Sequence, residues 1–330
     1  MKKWLRFLLI ILGIIVLLLA VGPFLVPIPP LENTVPVADL IDADSQFVTI
    51  PFDGTDGLDI HYKEDGSGDT NFLLLHGFNS NLYAWEAIID EFAVYGRTVA
   101  YDRIPFGLSE KPLADDWSAA NPYTTAATVA QAFTLMDTLG MDTAVLVGNS
   151  NGGSIALEMA RTHPERVTAL ILAAPDVYTG GGSPIPPWLT RTPQFRHIGP
   201  LISRGLAGAD LSEQVYADPG IVTADMATKA QISTRVADWD RALWAYTMAS
   251  AESDLPDFLT TIDIPALVIT GDSDGIVNPD DTRRLATELP SAAFVELTAC
   301  GHVPQQECPA AMMAETAVWL ETQNLASNGR

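Results

Sequence analysis

The stretch that most constrains this chain is residues 145–157, Val-Leu-Val-Gly-Asn-Ser-Asn-Gly-Gly-Ser-Ile-Ala-Leu. Its Val-rich start predicts a buried strand, and residues 155–161 predict a helix. A tight turn must join them, and it holds Gly148, Ser150 and Gly152 in a G-x-S-x-G pattern. A serine on so sharp a turn has a strained backbone and needs small neighbours. The turn lifts its Oγ off the sheet, beside the start of a helix whose free N–H groups favour developing negative charge. The five-residue pattern also occurs by chance. Its strand-turn-helix setting is what makes Ser150 a candidate nucleophile.

Residues 7–31 contain no charged side chain, and Lys2, Lys3 and Arg6 precede them. An apolar run of about 20 residues spans a bilayer core. The positive-inside rule then leaves the N-terminus in the cytoplasm and exports the body. A cleaved signal peptide is the rival reading, and it would release the body as a secreted protein. No persuasive small-x-small site follows the apolar core; Pro23, Pro27, Pro29 and Pro30 make a stiff exit, which favours an uncleaved signal anchor in the cell membrane. The body is strongly acidic, with a net charge of −23 for the whole chain. That argues against nucleic acid as a partner and fits a soluble or salt-tolerant surface. Cys300 and Cys308 are the only cysteines, and no cysteine or histidine cluster calls for a metal. In an exported protein the two could form a disulfide that pins the loop between them; two buried thiols are the other reading.

Residues 26–44 are Pro-rich and aperiodic and read as a linker. Residues 46–51 and 58–62 alternate and predict an antiparallel pair. Apolar strands are expected at 71–75, 97–101, 143–147, 167–173, 266–270 and 293–297. Helices are expected at 85–94, 124–139, 279–289 and 310–320. From 180 to about 256 there is no buried strand, and segments such as 224–248 look helical. The expected fold is α/β: a mostly parallel central sheet of about eight strands with helices on both faces, an inserted helical cap and an N-terminal transmembrane helix. The domains are 1–30 as anchor, 31–45 as linker, 46–179 and 257–330 as core, and 180–256 as cap.

A serine hydroxyl needs a base within hydrogen-bond reach, and the base needs a carboxylate to fix its tautomer. Of the five histidines, only His302 falls in a loop after a late strand. His163 follows the Ser150 helix, His61 lies on an early strand, His197 falls in the cap, and His76 ends a strand. The acid belongs at the end of the preceding strand, where Asp272 and Asp274 both stand; Asp176 is a third candidate. The Asp272–Gly275 run lacks the acidic spacing and distal glutamate of a calcium loop.

The order Ser…Asp…His on an alternating chain with a late insertion resembles the α/β-hydrolase superfamily over roughly residues 47–320. Four further stretches are similar to motifs of that family. Leu74-Leu75-His76-Gly77-Phe78 resembles its oxyanion loop. Tyr101-Asp102-Arg103-Ile104-Pro105-Phe106-Gly107-Leu108-Ser109 resembles its D-R-x-x-x-G-x-S segment. Gly271-x-x-Asp274 resembles its acid turn, which selects Asp274 over Asp272. Gly301-His302-x-Pro304-x-x-Glu307-x-Pro309 resembles its histidine loop. The resemblance implies a Ser150, Asp274 and His302 triad, with the backbone N–H groups of Phe78 and Asn151 as oxyanion donors worth about 3–4 kcal/mol each. It implies no cofactor and no metal, and has Asp102 and Arg103 pair near the site and hold loops.

Serine at position 150 disfavours the dehalogenases and epoxide hydrolases of this family, which use aspartate there. The Gly148-Asn149-Ser150-Asn151-Gly152-Gly153 turn resembles both esterases and the carbon–carbon bond hydrolases of aromatic degradation. The second group would need a basic side chain in the pocket, such as Arg191, Arg196 or Arg241. An exported, anchored body favours a carboxylesterase or lipase-like enzyme on small or medium acyl esters. A non-catalytic binding member of the fold is a third reading. Trp188, Phe195, Trp239, Trp244, Tyr246 and Met248 of the cap are candidates for an acyl pocket or for cap core.

Overall fold

A computed structural model describes residues 3–178, 187–190, 192–249 and 253–325. The eight strands are β1 (Gln46–Ile50), β2 (Leu58–Asp65), β3 (Asn71–Leu75), β4 (Arg97–Tyr101), β5 (Ala144–Asn149), β6 (Val167–Ala173), β7 (Ala266–Gly271) and β8 (Ala292–Leu297). They form one sheet in the order β1-β2-β4-β3-β5-β6-β7-β8. The β1–β2 and β2–β4 pairs are antiparallel, and every pairing from β4 to β8 is parallel. Strand β5 is buried along its whole length, as its unbroken apolar sequence requires of a central strand covered on both sides.

The helices are α1 (Lys3–Val21), α2 (Ile89–Ala93), α3 (Thr125–Thr138), α4 (Asn151–Thr162), α5 (Pro187–Thr190), α6 (Pro193–Ala207), α7 (Ser212–Val215), α8 (Ala224–Ala230), α9 (Trp239–Ala249), α10 (Pro279–Glu288), α11 (Pro304–Glu307) and α12 (Pro309–Thr322). Their ends are written in the sequence. The Thr124 hydroxyl accepts the Ala127 N–H at the start of α3, and Asn278 accepts the Asp280 N–H before Pro279 opens α10. Successive residues of β5 point to opposite faces. Leu146 belongs to the core cluster that includes Val129, Ile155 and Leu285 of α3, α4 and α10, while Val145 and Val147 belong to the one that includes Phe92, Met312 and Trp319 of α2 and α12.

Among the described residues, only helical elements occur between β6 and β7. The helix expected over 224–248 is broken: α8 ends at Ala230, a 3₁₀ turn spans Ile232–Arg235, and α9 starts at Trp239. The helix expected over 85–94 is likewise a 3₁₀ turn, Leu82–Trp85, followed by the short α2. Helix α1 has no buried residue, and Lys3–Leu25 is long and apolar enough to cross a membrane. The segment after it is laid down on the body and does not hang free. Val35 N–H donates to the Arg235 carbonyl at 2.9 Å, and Val37 and Leu40 pack against the core. Apolar side chains among its prolines account for this, because they have body surface to cover.

Candidate active site

Ser150 sits between β5 and α4 with φ 53° and ψ −123°, a conformation that side chains with a Cβ rarely adopt. The surrounding glycines are needed for close approach. A Cβ on Gly152 would lie 2.0 Å from the Leu75 carbonyl oxygen, and one on Gly148 would lie 2.6 Å from the Gly152 carbonyl oxygen. The turn therefore packs straight against the end of β3. Gly77 of the following loop is so close that a Cβ there would lie 3.3 Å from the Ser150 Cβ.

Asp274 and His302 meet as expected. His302 Nδ1 lies 2.9 Å from Asp274 Oδ2, and Asp274 Oδ1 accepts the N–H groups of Ile276 and Val277 at 2.8 and 2.9 Å. The carboxylate is thus fixed on both oxygens, and Nδ1 carries the proton that it accepts. His302 Nε2 is left as the basic nitrogen. Asp272, the competing acid, is exposed and bonded to Ser273. Asp176 lies near the elbow, its N–H on the Ser150 carbonyl at 3.2 Å. Ser150 and His302 line the same cavity, with Gly77, Phe78 and Asn151. Among the described residues no hydrogen bond joins Ser150 Oγ to His302 Nε2; such contacts commonly tighten only when substrate binds. The N–H groups of Phe78 and Asn151 likewise donate to no group among the described residues.

The histidine loop is held from several sides. Asn149 Nδ2 donates to the His302 carbonyl at 3.0 Å, and the His302 N–H donates to the Val215 carbonyl at 2.7 Å. Glu307 accepts the N–H groups of Gly301, Ala217 and Asp218. Cys300 and Cys308 are joined in a disulfide across this loop. Among the described residues, the cluster of Cys300, Glu307 and Cys308 brings metal-ligand atom types together, but both sulfurs are spent in the bridge.

The other histidines are occupied elsewhere. His76 is fully buried, with Nδ1 donating to the Gly77 carbonyl at 2.8 Å and Nε2 accepting the Arg103 N–H at 3.0 Å. Burial, and then the Arg103 charge, push its pKa down to about 3, so it is neutral. His61 pairs with Asp102 at 2.7 Å and with the Ser45 hydroxyl at 2.9 Å. Burial alone would raise the Asp102 pKa; the hydrogen bond and charge of His61 outweigh it, so the carboxyl titrates below its usual range. His163 ends α4, and His197 contacts the Val26 carbonyl.

The cavity has a volume of about 680 Å³, in the range of small-molecule sites. Leu206, Leu211, Val215, Val222, Met226 and Ile276 form much of its apolar wall. Of the cap aromatics expected there, Tyr246 lines it, while Trp239 and Trp244 are buried in the cap. The Trp188 side chain and Arg191 lie outside the described residues. Arg196 and Arg241 are exposed and not among the lining residues. Lys229 is the lining cation among the described residues, and it is paired with Glu86 and Asp225. The roles of Asn149, Tyr246 and the segment 214–218 were not read from the sequence. The expected Asp102–Arg103 pair does not form: Asp102 binds His61 and the N–H groups of Leu82 and Leu108, which satisfy its carboxylate, and Arg103 donates to carbonyls, Asn151 and Tyr246. Glu307 was visible only as a motif position.

Comparison with known proteins places these features in context. Residues 70–307 match the family model described as the alpha/beta hydrolase fold. A 2-hydroxy-6-oxononadienedioate/2-hydroxy-6-oxononatrienedioate hydrolase from Paraburkholderia phymatum is 30% identical, over 80% of this chain and 91% of its own length. A thermophilic esterase from Thermogutta terrifontis superposes with a TM-score of 0.68 at 25% identity, covering 84% of this chain and 99% of that one. A bacterial membrane phospholipase A superposes with a TM-score of 0.66 at 21% identity, covering 98% of this chain and 99% of that one. That coverage must take in most of α1.

Proposed function

Because the chain belongs to the alpha/beta hydrolase family and is an enzyme, we propose that it hydrolyses acyl esters through Ser150, His302 and Asp274. The observation that carries this reading is the Asp274–His302 pair, with Nε2 left free in the cavity that holds the strained Ser150. Ser150 Oγ attacks the acyl carbonyl while His302 Nε2 takes its proton, and Asp274 stabilises the imidazolium. The tetrahedral oxyanion is held by the N–H groups of Phe78 and Asn151. His302 returns the proton to the leaving alkoxide. Water, deprotonated by His302, then releases the acid and frees Ser150.

The substrate class in this reading is an apolar acyl ester of lipid type. Gln194, His197 and Arg204 of α6 bond to the carbonyls of Ala20, Val26 and Pro29, so the cap is fastened to the exit of the apolar helix. The far end of α6, at Leu206 and Ala207, lines the cavity. With α1 across the membrane, the cavity stands over the bilayer surface. Residues 1–30 are then the anchor, 31–45 the linker, 46–179 and 257–330 the core, and 180–256 the cap. The body faces the extracytoplasmic side; a cleaved, secreted form is the alternative.

Carbon–carbon bond hydrolysis is the competing reading, favoured by the P. phymatum relative. Its acidic dienol substrate needs cationic contacts. The described lining instead carries Glu86, Glu158 and Asp210, with Lys229 already paired. The test uses the full-length protein in detergent micelles, on p-nitrophenyl esters of graded acyl length and on a 2-hydroxy-6-oxodienoate. Ester turnover lost in Ser150→Ala, rising with acyl length, is expected. A kcat/KM for the dienoate exceeding that for every ester would overturn the ester reading.

A further inference from the structure

Arg103 is almost fully buried, and none of its acceptors is a carboxylate. Nε and Nη2 donate to the His76 carbonyl at 3.1 and 2.7 Å, and Nη2 also donates to the Gly77 carbonyl at 3.0 Å. Nη1 donates to Asn151 Oδ1 at 3.1 Å and to the Tyr246 hydroxyl at 3.3 Å. These contacts use all the donors a guanidinium has. The neighbouring Asp102 carboxylate is committed to His61 and to the N–H groups of Leu82 and Leu108. Burying a cation without a carboxylate partner is costly, and such a cost points to a role beyond holding loops.

The geometry supplies that role. In a planar trans peptide the carbonyl and the next N–H point in opposite directions. Arg103 grips the Gly77 oxygen, so the Phe78 N–H in the same peptide is turned away from Arg103. A hydrogen bond at a carbonyl also polarises the amide and makes its N–H a stronger donor. The same guanidinium holds Asn151, whose own N–H opens α4 beside Ser150. Tyr246, from α9 of the cap, donates to Asn151 Oδ1 at 2.9 Å, and its ring lies 6.0 Å from that of Phe78.

We propose that Arg103 is the positioning residue of the oxyanion hole, and that Tyr246 couples the cap to it. The proposal rests on the ester-hydrolase reading above. The guanidinium sets the plane of the Gly77–Phe78 peptide, fixes Asn151, and places a positive charge one peptide group from the developing oxyanion. Interactions made there strengthen as the carbonyl becomes tetrahedral, so they raise kcat more than they lower KM.

The test compares wild type with Arg103→Lys, Arg103→Met and Tyr246→Phe, all full length in micelles. Each is assayed for p-nitrophenyl ester turnover and for two inhibitors of equal chain length. An alkyl trifluoromethyl ketone forms a tetrahedral adduct with an oxyanion; the corresponding alkyl methyl ketone, which stays trigonal and uncharged, does not. Arg103→Met is expected to lower kcat and weaken the ketone by about 100-fold, the effect of losing an oxyanion donor. Arg103→Lys, which keeps the charge but not the fork, falls between it and wild type. Tyr246→Phe weakens the ketone about threefold to tenfold, the effect of one lost hydrogen bond. Methyl-ketone affinity and KM stay within about threefold. A merely structural role would weaken both inhibitors together, and that result overturns the proposal. So does unchanged ketone affinity in Arg103→Lys and Tyr246→Phe, the two variants that best preserve packing. Wild type without ester turnover would instead remove the reading on which the proposal stands.

Discussion

The side-chain amide of Asn149 joins the backbone of the candidate base to the residue before the candidate nucleophile. Its Nδ2 donates to the His302 carbonyl at 3.0 Å and to the Ala173 carbonyl at 3.1 Å. Both acceptors are in the buried sheet end, so Asn149→Ala leaves buried carbonyls short of a partner, at a cost of about 1–3 kcal/mol. The expected result is a tenfold or larger fall in kcat, about 1.4 kcal/mol, with fluorophosphonate labelling of Ser150 slowed in step. Full activity in Asn149→Ala would show that His302 is placed without this tie.

Gly152→Ala tests the packing of the turn against β3. The new methyl would meet the Leu75 carbonyl oxygen at 2.0 Å, with backbone on both sides and no flexible side chain to give way. Overpacking of this kind costs about 1–3 kcal/mol or more. A lower Tm by differential scanning, together with loss of Ser150 labelling, is expected. An unchanged Tm would refute the close approach.

His76 gives a signed pH dependence. Its pKa falls from an unfolded value of 6.5 to about 3 in the fold, because burial, and then Arg103, oppose the charged form. The unfolded chain therefore binds more protons between those values. The stability His76 contributes is present above pH 6.5 and is lost as pH falls toward 3, at about 1.4 kcal/mol per pH unit. Between pH 6.5 and 5, wild type should lose about 1.6 kcal/mol of unfolding free energy in urea that His76→Asn retains. Parallel pH slopes for the two proteins would count against a neutral, buried His76.

Glu307 binds the cap segment and the histidine loop with one carboxylate. Oε2 accepts Gly301 N–H at 2.6 Å and Ala217 N–H at 3.1 Å, and Oε1 accepts Asp218 N–H at 2.8 Å. Glu307→Gln replaces one acceptor with an NH₂ that faces a donor. Hydrogen bonds to a charged group are worth about 1.5–3 kcal/mol, so a Tm lower by several degrees is expected. Hydrogen exchange should rise at residues 214–218 and 300–303 together. A rise confined to one of the two segments would mean they are not coupled through Glu307.

The elements that could be read from the sequence were those with strong local signals. Unbroken apolar runs gave β5, β6 and β7, and Thr124 and Pro279 marked helix starts that propensity alone would blur. The order of the strands pointed to His302 and left Asp272, Asp274 and Asp176 as acids, and only the resemblance of Gly271-x-x-Asp274 to the family's acid turn selected Asp274. What was not legible depends on long-range meeting. Nothing in the local sequence around Tyr246 says that its hydroxyl reaches Asn151, and a lone arginine in a loop does not announce that it grips two carbonyls. The break between α8 and α9 was missed because apolar spacing persists through 224–248 while the chain turns at Ile232–Arg235. The described cavity wall is aliphatic more than aromatic, because the cap tryptophans Trp239 and Trp244 are needed to fill the cap itself.

In the proposed anchored state, the bonds from α6 to Ala20, Val26 and Pro29 would also limit how the enzyme meets a membrane-borne ester. A proline-rich tether alone would let the body tumble above the lipid, sampling many orientations. With α1 across a bilayer as proposed, a body fastened through its roof would present one face to the headgroups on every encounter. Turnover should then follow the mole fraction of substrate within the bilayer and be insensitive to the bulk concentration of vesicles. Releasing the roof, as in a combined His197→Ala and Arg204→Ala variant, should erase that preference while sparing hydrolysis of short esters dissolved in water.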